Sequence, residues 1–280
     1  KRLSEILVRQ YIEHLRTLNN SDQTIMDRLQ ELHSAHRVLA PDTPLNFLRR
    51  IEARIRTRAK PAREKRGRLV PSDELVALGR KLMETANELS TARLQAIQYR
   101  DGLIIAFAAL RPWRRKNLAE MRINKNLIKK GEKWVLLLSK EETKTYARDE
   151  RLWPDEFVES LEAYLTVHRP VLMAQTGRWT KPIEDHLWVS SEASPQTQMS
   201  IYQQIIKRTK EEFGVSINPH LFRDAAATTI AMEDPTHVRV GTRVLNHKSA
   251  RTTEKYYQQA EQQQAHLSFT DFIITARRST

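Results

Sequence analysis

Residues 219–257 read PHLFRDAAATTIAMEDPTHVRVGTRVLNHKSARTTEKYY and hold the most informative spacing in the chain. His220 and Arg223 are three positions apart at the start of an expected helix, so their side chains share one face. His247 follows 24 positions after Arg223, and Tyr256 follows nine positions after His247. A His-x-x-Arg pair alone is common by chance. The same pair followed by a histidine and a tyrosine at these intervals is improbable by chance.

Three segments of this stretch resemble the closing signature of the tyrosine site-specific recombinases of the phage integrase and Xer type. That signature runs His-x-x-Arg, then Leu-Gly-His, then Thr-Thr-x-x-Tyr. The matching segments are His220-Leu-Phe-Arg223, Leu245-Asn-His247 and Thr252-Thr-Glu-Lys-Tyr256. Asn246 replaces the family's glycine, and asparagine tolerates the left-handed backbone of such a turn. The resemblance covers residues 72–257 well and is thin before residue 66.

The family carries its first catalytic arginine in a pattern similar to Leu-Arg-x-x-Glu/Asn-Leu-x-x-Leu. Alignment of this pattern on Asn117-Leu118 selects Arg114, with Arg111 and Arg115 as alternatives. Pro112-Trp113 replaces the usual Gly-Leu before the arginine, which affects the expected turn more than the role of the residue.

The family also carries a catalytic lysine on a β-hairpin. Thr143-Lys144-Thr145 and Arg151-Leu-Trp-Pro154 resemble its Thr-Lys-Thr and Arg-x-Val-Pro segments. Lys144 is therefore the candidate, and Lys140 is the second choice.

The resemblance implies that a tyrosine attacks a DNA phosphodiester and forms a 3′-phosphotyrosyl intermediate. We expect Tyr256 to be the nucleophile because its spacing from His247 and its Thr-Thr pair match the family; Tyr257 is the alternative. A phenol has a pKa of ~10 and needs activation at neutral pH. The implied reaction requires no metal, ATP or other cofactor, since the phosphotyrosyl bond retains the energy for rejoining.

The remaining candidates suit the negative charge that develops on the phosphate. Arg114 and Arg223 would bind its non-bridging oxygens through forked, permanently charged donors. His247 would add a donor, and His220 would accept the tyrosine proton or orient the phosphate. Lys144 would protonate the leaving 5′ oxygen. Each residue alone has an ordinary structural explanation, but their joint order and spacing match the family.

The charge balance indicates a polyanionic partner. Lysine and arginine number 47 against 34 acidic residues, and the net charge of +13 favours phosphate contacts. Basic residues are concentrated between positions 49 and 68, around an expected linker. We predict that the last six of them contact the DNA backbone: Arg58, Lys60, Arg63, Lys65, Arg66 and Arg68.

Several classes of protein are excluded or disfavoured. The chain has no cysteine, which excludes disulfides, zinc fingers and a thiol nucleophile. It contains no GxGxxG, GxxxxGK(S/T), HExxH or GxSxG motif. We find no signal peptide and no apolar run near the ~20 residues of a bilayer span, and expect a cytoplasmic, nucleoid-associated protein. Because the chain begins with Lys1 rather than Met, we expect it to be part of a longer protein.

We predict a mainly α-helical protein with a small antiparallel β-sheet, in which a partial helical core-binding domain precedes a tyrosine recombinase catalytic fold. The expected divisions are a core-binding domain over 1–57, a basic linker over 58–71 and a catalytic domain with a C-terminal helix over 72–280. Apolar periodicity predicts three helices in the first domain. Lys133–Leu138 is predicted to be a strand that pairs with Arg151–Trp153.

The catalytic domain is predicted to begin with a helix capped by Ser72. Further helices are expected over 92–110, 155–169, 198–213, 219–232, 236–245, 249–260 and 267–276.

We expect the two domains to form a C-shaped clamp on double-stranded DNA. By analogy with the family, apolar residues within 265–280 would dock into a neighbouring protomer of a dimer or tetramer on DNA. Type IB topoisomerases and telomere resolvases share the catalytic residues and differ in their products, so both stay open as alternatives. So do a catalytically silent DNA-binding regulator of the same fold and, less favoured by the charge, an interaction scaffold.

Overall fold

The computed structural model describes residues 3–43, 45–59, 69–143, 146–175, 183 and 185–233. The chain is mainly helical with a three-stranded antiparallel sheet, as predicted. It divides into two units, Lys1–Gly67 and Arg68–Thr280, and each unit has a hydrophobic core of its own. The helices predicted over 236–245, 249–260 and 267–276 lie outside the described residues.

The first unit contains three helices: α1 Glu5–Thr17, α2 Asp22–Leu39 and α3 Asn46–Arg58. Ser4 and Ser21 are the N-caps of α1 and α2, because their hydroxyl oxygens accept hydrogen bonds from the backbone N–H groups of Leu7 and Thr24. Apolar residues, most of them at three- or four-residue spacing, form the core: Val8, Ile12, Leu15, Ile25, Leu29, Leu45, Leu48, Ile51 and Ile55.

Arg58 is the last residue of α3, whereas the sequence predicts that it begins the linker. Arginine is a good helix former, and the basic side chains of Arg56 and Arg58 interact favourably with the negative end of the helix dipole. A run of positive charge therefore does not end this helix, and α3 continues to Arg58.

The second unit is built around two helices that cross closely, α4 Ser72–Glu84 and α5 Ala92–Leu110. A Cβ atom added to Gly79 would lie 2.7 Å from the Cβ of Ala106 and 2.7 Å from the carbonyl oxygen of Gly102. Glycine is needed at this crossing because a side chain would collide with the backbone of the other helix. The bounds of α5 are those predicted, so the helix ends just before the candidate arginines.

The start of α4 differs from the prediction by one residue. Ser72 is the first residue of the helix, and its cap is Pro71, whose backbone is extended (φ −53°, ψ 151°). The helix begins directly after this proline because the extended residue already occupies the cap position. The acidic side chains of Asp73 and Glu74 lie in the first turn, as predicted.

The sheet has the order β1-β2-β3 and consists of β1 Leu127–Lys130, β2 Lys133–Leu138 and β3 Asp149–Leu152. β2 has the predicted bounds and pairs antiparallel with β3, so that Leu136 lies opposite Arg151. The sequence did not predict β1, which is four residues long and pairs Leu127 with Leu136. Gly131 has a φ of 58° in the tight turn between β1 and β2.

The remaining helices are α6 Arg115–Ala119, α7 Val158–Ala163, α8 Arg169–Met173, α9 Gln198–Phe213 and α10 Pro219–Glu233. Short 3-10 segments cover Thr85–Glu88, Lys140–Glu142 and Asp155–Phe157. A single helix was predicted over 155–169, but the chain forms a 3-10 segment, α7, a π-helical segment Tyr164–His168 and α8 in succession. The π-helical segment changes the hydrogen-bond register before Pro170, which has no N–H, so the helical path continues to Met173.

Buried charges join α9 to α5. Arg100 and Asp101 are each 1% exposed, and Nη2 of Arg100 lies 2.6 Å from Oδ1 of Asp101. Asp101 also accepts a hydrogen bond from Nε of Arg208 at 3.1 Å. This network orients α9, which contributes Tyr202 to the cleft described below. No helix within the described ranges combines the length and the apolar character needed to cross a bilayer.

Candidate active site

A cleft of about 400 Å³ lies in the second unit, where the segment before α6 meets α9 and the start of α10. Three of the six predicted catalytic residues line it together: Arg114, His220 and Arg223. The other lining residues are Trp113, Arg115, Tyr202, Asn218 and Pro219. Three arginines and no carboxylate are among these described lining residues, so the cleft is suited to an anion.

Arg114 occupies the N-cap position of α6, with an extended backbone (φ −65°, ψ 143°). Its carbonyl oxygen accepts the N–H of Leu118 at 3.0 Å, which fixes the backbone at the start of the helix. The side chain is partly buried, and among the described residues its guanidinium has no hydrogen-bond or ion-pair partner. A partly buried charge that has no counter-charge among the described residues favours the binding of an anion.

Arg111, the first alternative to Arg114, is directed toward the sheet. It is the C-cap residue of α5, and its Nε and Nη1 donate to the carbonyl oxygens of Leu152 at 3.3 Å and Leu110 at 3.1 Å. Burial lowers the pKa of Arg111, and the neighbouring charge of Arg151 lowers it further. Arg111 therefore joins the end of α5 to β3.

Arg115, the second alternative, lines the cleft from the first position of α6. Its guanidinium carbon lies 5.4 Å from the centroid of the Tyr202 ring, and α6 packs against α9. Arginine stacks favourably on aromatic faces, so Tyr202 restricts the positions that this guanidinium occupies. Within the described part of the chain, Arg115 has no acidic partner.

The start of α10 places His220 at the cleft. Oδ1 of Asn218 accepts hydrogen bonds from the backbone N–H groups of His220 at 2.9 Å and Leu221 at 3.2 Å. Asn218 is thus the N-cap, and Pro219 takes the first helical position, where its missing N–H costs no helical hydrogen bond. The side chain of His220 is exposed, as an acceptor or donor for a bound substrate must be.

Arg223 follows one turn later on α10 and is 8% exposed. Its Nη1 donates a hydrogen bond to the carbonyl oxygen of Pro112. This bond joins α10 to the segment that carries Arg114, and it aligns the second candidate arginine with the first. Trp113 supports the same segment, since its buried ring packs edge-on against Phe107 with a centroid distance of 5.8 Å.

Lys144 lies outside the described residues, but both flanks of its loop are described. Thr143 is 4% exposed; its hydroxyl donates to the carbonyl oxygen of Ala147 at 2.8 Å and accepts the N–H of Ala147 at 3.0 Å. Lys140, the second choice, is exposed, and its Nζ lies 3.9 Å from a carboxylate oxygen of Glu141. Thr143 and Ala147, on the two described flanks of Lys144, are therefore joined to each other.

Glu142 anchors the same loop to the rest of the second unit. Its carboxylate accepts hydrogen bonds from Lys125 at 2.8 Å, from the backbone N–H of Ser139 at 2.9 Å and from Asn126 at 3.2 Å. Burial alone would raise the pKa of Glu142, but these hydrogen bonds and the charge of Lys125 outweigh it and lower the pKa to about 2. The anchor is thus ionised at every pH at which the protein is expected to act.

The remaining predicted site residues fall mostly outside the described ranges. These are His247, Tyr256, its alternative Tyr257, the segment 265–280 and five linker residues, namely Lys60, Arg63, Lys65, Arg66 and Arg68. Arg58 is described: it is exposed on α3 of the first unit and lines a cleft of about 450 Å³. Arg9, Arg16 and Arg54 line the same cleft, together with the acidic Glu13 and Asp22.

Three residues of the candidate active site were not singled out from the sequence. Asn218 and Pro219 form a pair that is typical of a helix start, so the N-cap role of Asn218 could have been predicted from the sequence. Tyr202 carries no local signal, because its place beside Arg115 depends on the packing of α6 against α9.

Comparison with known proteins gives a family match over most of the second unit. Residues 79–263 match the family model described as "Phage integrase family". Among solved structures, the chain is similar to the XerH site-specific recombinase bound to difH substrate, in a post-cleavage and in a pre-cleavage complex. Both similarities have 16% identity and a TM-score of 0.49 and cover 69% and 70% of this chain.

The chain spans about half the length of XerH, since 51% of the XerH chain is covered in each case. A further similarity is to the XerA recombinase, with 16% identity, a TM-score of 0.47, and coverage of 95% of this chain and 84% of that one. No curated protein matches the chain by sequence.

Proposed function

Because this chain belongs to the phage integrase family, whose model matches residues 79–263, we propose that it is a site-specific recombinase that cuts and rejoins double-stranded DNA. In the proposed reaction the hydroxyl oxygen of Tyr256 attacks a backbone phosphorus and forms a 3′-phosphotyrosyl bond. The P–O bond to the 5′ oxygen breaks, and that oxygen leaves as a hydroxyl. A 5′ hydroxyl of another strand then reverses the step, which requires no metal or ATP because a phosphodiester is replaced by a phosphodiester.

The observation that carries this proposal is the shared cleft of Arg114, His220 and Arg223. These residues come from two distant parts of the sequence, and the Arg223–Pro112 hydrogen bond joins the two parts. Arg114 has no ion-pair partner among the described residues, and no acidic side chain is among the described lining residues. The arrangement therefore favours a phosphate as the ligand.

The two arginines supply electrostatic stabilisation in the proposed mechanism. As Tyr256 attacks, negative charge accumulates on the two non-bridging oxygens, and the guanidiniums of Arg114 and Arg223 donate to them. Before the substrate binds, the start of α6 fixes the backbone of Arg114, and the hydrogen bond to Pro112 holds the guanidinium of Arg223. Little reorganisation is then needed in the transition state.

The proton transfers are assigned to the other candidates. His220, exposed at the start of α10, accepts the proton of the attacking hydroxyl or orients the phosphate, and His247 adds a donor to a non-bridging oxygen. Lys144 donates a proton to the leaving 5′ oxygen. The support for Lys144 is its place in the sequence between Thr143 and Ala147, which are joined by hydrogen bonds, next to the anchored Glu142.

We also propose that the protein acts as a tetramer on DNA, in which residues 265–280 of one protomer dock into a neighbour. The net charge of +13 and the basic residues between positions 49 and 68 support binding to the DNA backbone. Deletion of residues 265–280 is expected to leave binding of one protomer intact and to abolish higher complexes in a gel-shift assay. Unchanged assembly would contradict the proposed docking.

The proposed chemistry is tested by trapping a covalent complex. Duplexes that the protein selects from a randomised library are nicked a few nucleotides to the 3′ side of the cleavage position. The short fragment that is released with the 5′ hydroxyl then diffuses away, and religation is prevented. The wild-type protein is expected to form an adduct that survives denaturant, and Tyr256→Phe is expected to abolish it. Tyr257→Phe is the matched control and should retain the adduct. Tight binding by the wild type without any adduct would overturn the proposed function.

A further inference from the structure

The cleft holds two neighbouring guanidiniums, those of Arg114 and Arg115, that have no acidic partner among the described residues. None of the described lining residues is acidic. A phosphodiester has a single negative charge, so one phosphate does not match both of these guanidiniums. We take this as an indication that a second anionic group of the same substrate reaches the cleft.

Arg115 is held apart from the other two arginines. Its guanidinium lies over the ring of Tyr202, a residue of α9, whereas Arg114 precedes the helix with an extended backbone. Side chains of consecutive residues at a helix start point in different directions, so the two arginines are not equivalent donors to one phosphate. Stacking on Tyr202 leaves the edge of the guanidinium, which carries its N–H donors, available to a ligand.

We propose that Arg115, stacked on Tyr202, binds the phosphate adjacent to the one that is cleaved. This inference rests on the proposed function, since it takes the DNA strand held by Arg114 and Arg223 as the substrate. Successive phosphates of a strand are the nearest repeated anionic groups in such a ligand, and a third guanidinium beside the first two matches that repeat. Arg115 then contributes affinity and register, and Arg114 contributes to the chemical step.

The proposal predicts a division between binding and chemistry. Arg115→Gln is expected to lower the affinity for a duplex containing the cleavage site by about tenfold, the effect of one charge-assisted hydrogen bond. The plot of log K against log salt concentration should become less steep by about 0.9, as for the loss of one phosphate contact. The cleavage rate at saturating protein should stay near that of the wild type. Lys116→Gln is the matched control, because Lys116 is an exposed cation in the same helix. It should change the affinity and the salt slope less than Arg115→Gln does.

Substitution of the aromatic ring tests the positioning step. Tyr202→Leu removes the ring beneath the guanidinium and is expected to weaken binding in the same direction as Arg115→Gln, by a smaller factor. Tyr202→Phe keeps the ring and should retain wild-type affinity, which distinguishes stacking from a role of the hydroxyl. Circular dichroism and thermal unfolding of each variant show whether the fold is kept.

A neutral phosphate identifies the contact directly. Duplexes with single methylphosphonates at successive positions are bound by the wild type and by Arg115→Gln. At the phosphate next to the cleavage position, the substitution is expected to weaken wild-type binding and to have little further effect on Arg115→Gln. Equal losses for both proteins at that position would overturn the proposal.

Two further results would also overturn it. If Arg115→Gln lost the saturated cleavage rate as Arg114→Gln does, with an unchanged salt slope, Arg115 would act at the cleaved phosphate itself. If Arg115→Gln bound with wild-type affinity and slope, it would make no phosphate contact. In both cases, formation of the adduct by the wild type would show that only the phosphate contact of Arg115 has failed. Absence of the wild-type adduct would count against the proposed function, and the phosphate contact would still be judged from the binding measurements.

Discussion

Arg223 donates a hydrogen bond to the carbonyl oxygen of Pro112, so the helix that carries one candidate arginine is joined to the segment that presents the other. A family glycine-leucine pair is replaced here by Pro112-Trp113, and the structure gives both residues a supporting role. Pro112 accepts the bond from Arg223, and Trp113 packs against Phe107 of α5. The departure from the family pattern is therefore compatible with an intact pair of arginines.

Substitution of Arg223 by lysine tests this relationship. Arg223→Lys keeps the charge but loses the fork that contacts Pro112. Because we propose that the same fork also binds a phosphate, we expect the cleavage rate to fall by roughly tenfold or more. The melting temperature should decrease as well, since the bond between α10 and the segment before α6 is lost. Arg122→Lys is a suitable control because Arg122 is an exposed partner of Asp185. Wild-type cleavage by Arg223→Lys would show that the fork is not required.

A separate prediction distinguishes Arg114 from its neighbour Arg111. Arg114→Gln is expected to lower the cleavage rate of the saturated complex by roughly 10²–10³-fold, the usual effect of removing one preorganised donor to a transition state. Arg111→Gln should keep the rate and lose about 1 kcal/mol of stability, because its hydrogen bonds go to the carbonyls of Leu152 and Leu110. Single-turnover cleavage and thermal unfolding measure the two effects. The reverse pattern would transfer the catalytic role to Arg111.

Glu142 predicts a pH dependence of stability. Its pKa is lowered to about 2 in the folded protein, against a usual value of 4.5. The stabilisation is therefore complete above about pH 4.5 and is lost as the pH falls toward 2. Glu142→Gln should be less stable than the wild type at pH 7 by about 1.5–3 kcal/mol, the range for hydrogen bonds to a charged group.

The difference in melting temperature between Glu142→Gln and the wild type should shrink steadily as the pH is lowered through this window. The exposed neighbour is the control: Glu141→Gln is expected to follow the wild-type profile. A difference between Glu142→Gln and the wild type that stays constant from neutral to acidic pH would rule out the ionised anchor.

The crossing of α4 and α5 predicts a steric effect. Gly79→Ala is expected to destabilise the fold by about 1–3 kcal/mol, because the added methyl group lies 2.7 Å from backbone and side-chain atoms of α5. Alanine is a better helix former than glycine. A decrease in the free energy of unfolding would therefore indicate a steric collision, and an increase would indicate that helix propensity dominates. Lys81→Ala on the same helix loses only a surface ion pair with Glu212 and should have little effect. Urea unfolding of both variants provides the comparison.

Long periodic segments could be predicted well from the sequence. The bounds of α5, α9 and β2 agree with the predictions because each is ended by a clear signal, such as Gly214 after α9, which has a φ of 71°. The His-x-x-Arg pair also falls on the first turns of α10, as expected. In these cases local signals and packing favour the same structure.

Other features depend on contacts that no local pattern contains. β1 is short and has two lysines, and it forms because β2 offers an edge to pair with. The π-helical segment before Pro170 reflects packing that overrides a helix-ending signal. From the sequence, Arg115 is only an alternative to Arg114. Its distinct position depends on the contact with Tyr202, which is far away along the chain.

The proposed reaction joins Tyr256 covalently to DNA. The most direct measurement is mass spectrometry of the peptides from the trapped adduct after nuclease digestion. We expect a nucleotide attached through a 3′ phosphate to Tyr256. A nucleotide on Tyr257 or on Tyr202, or an adduct that maps to no tyrosine, would contradict it.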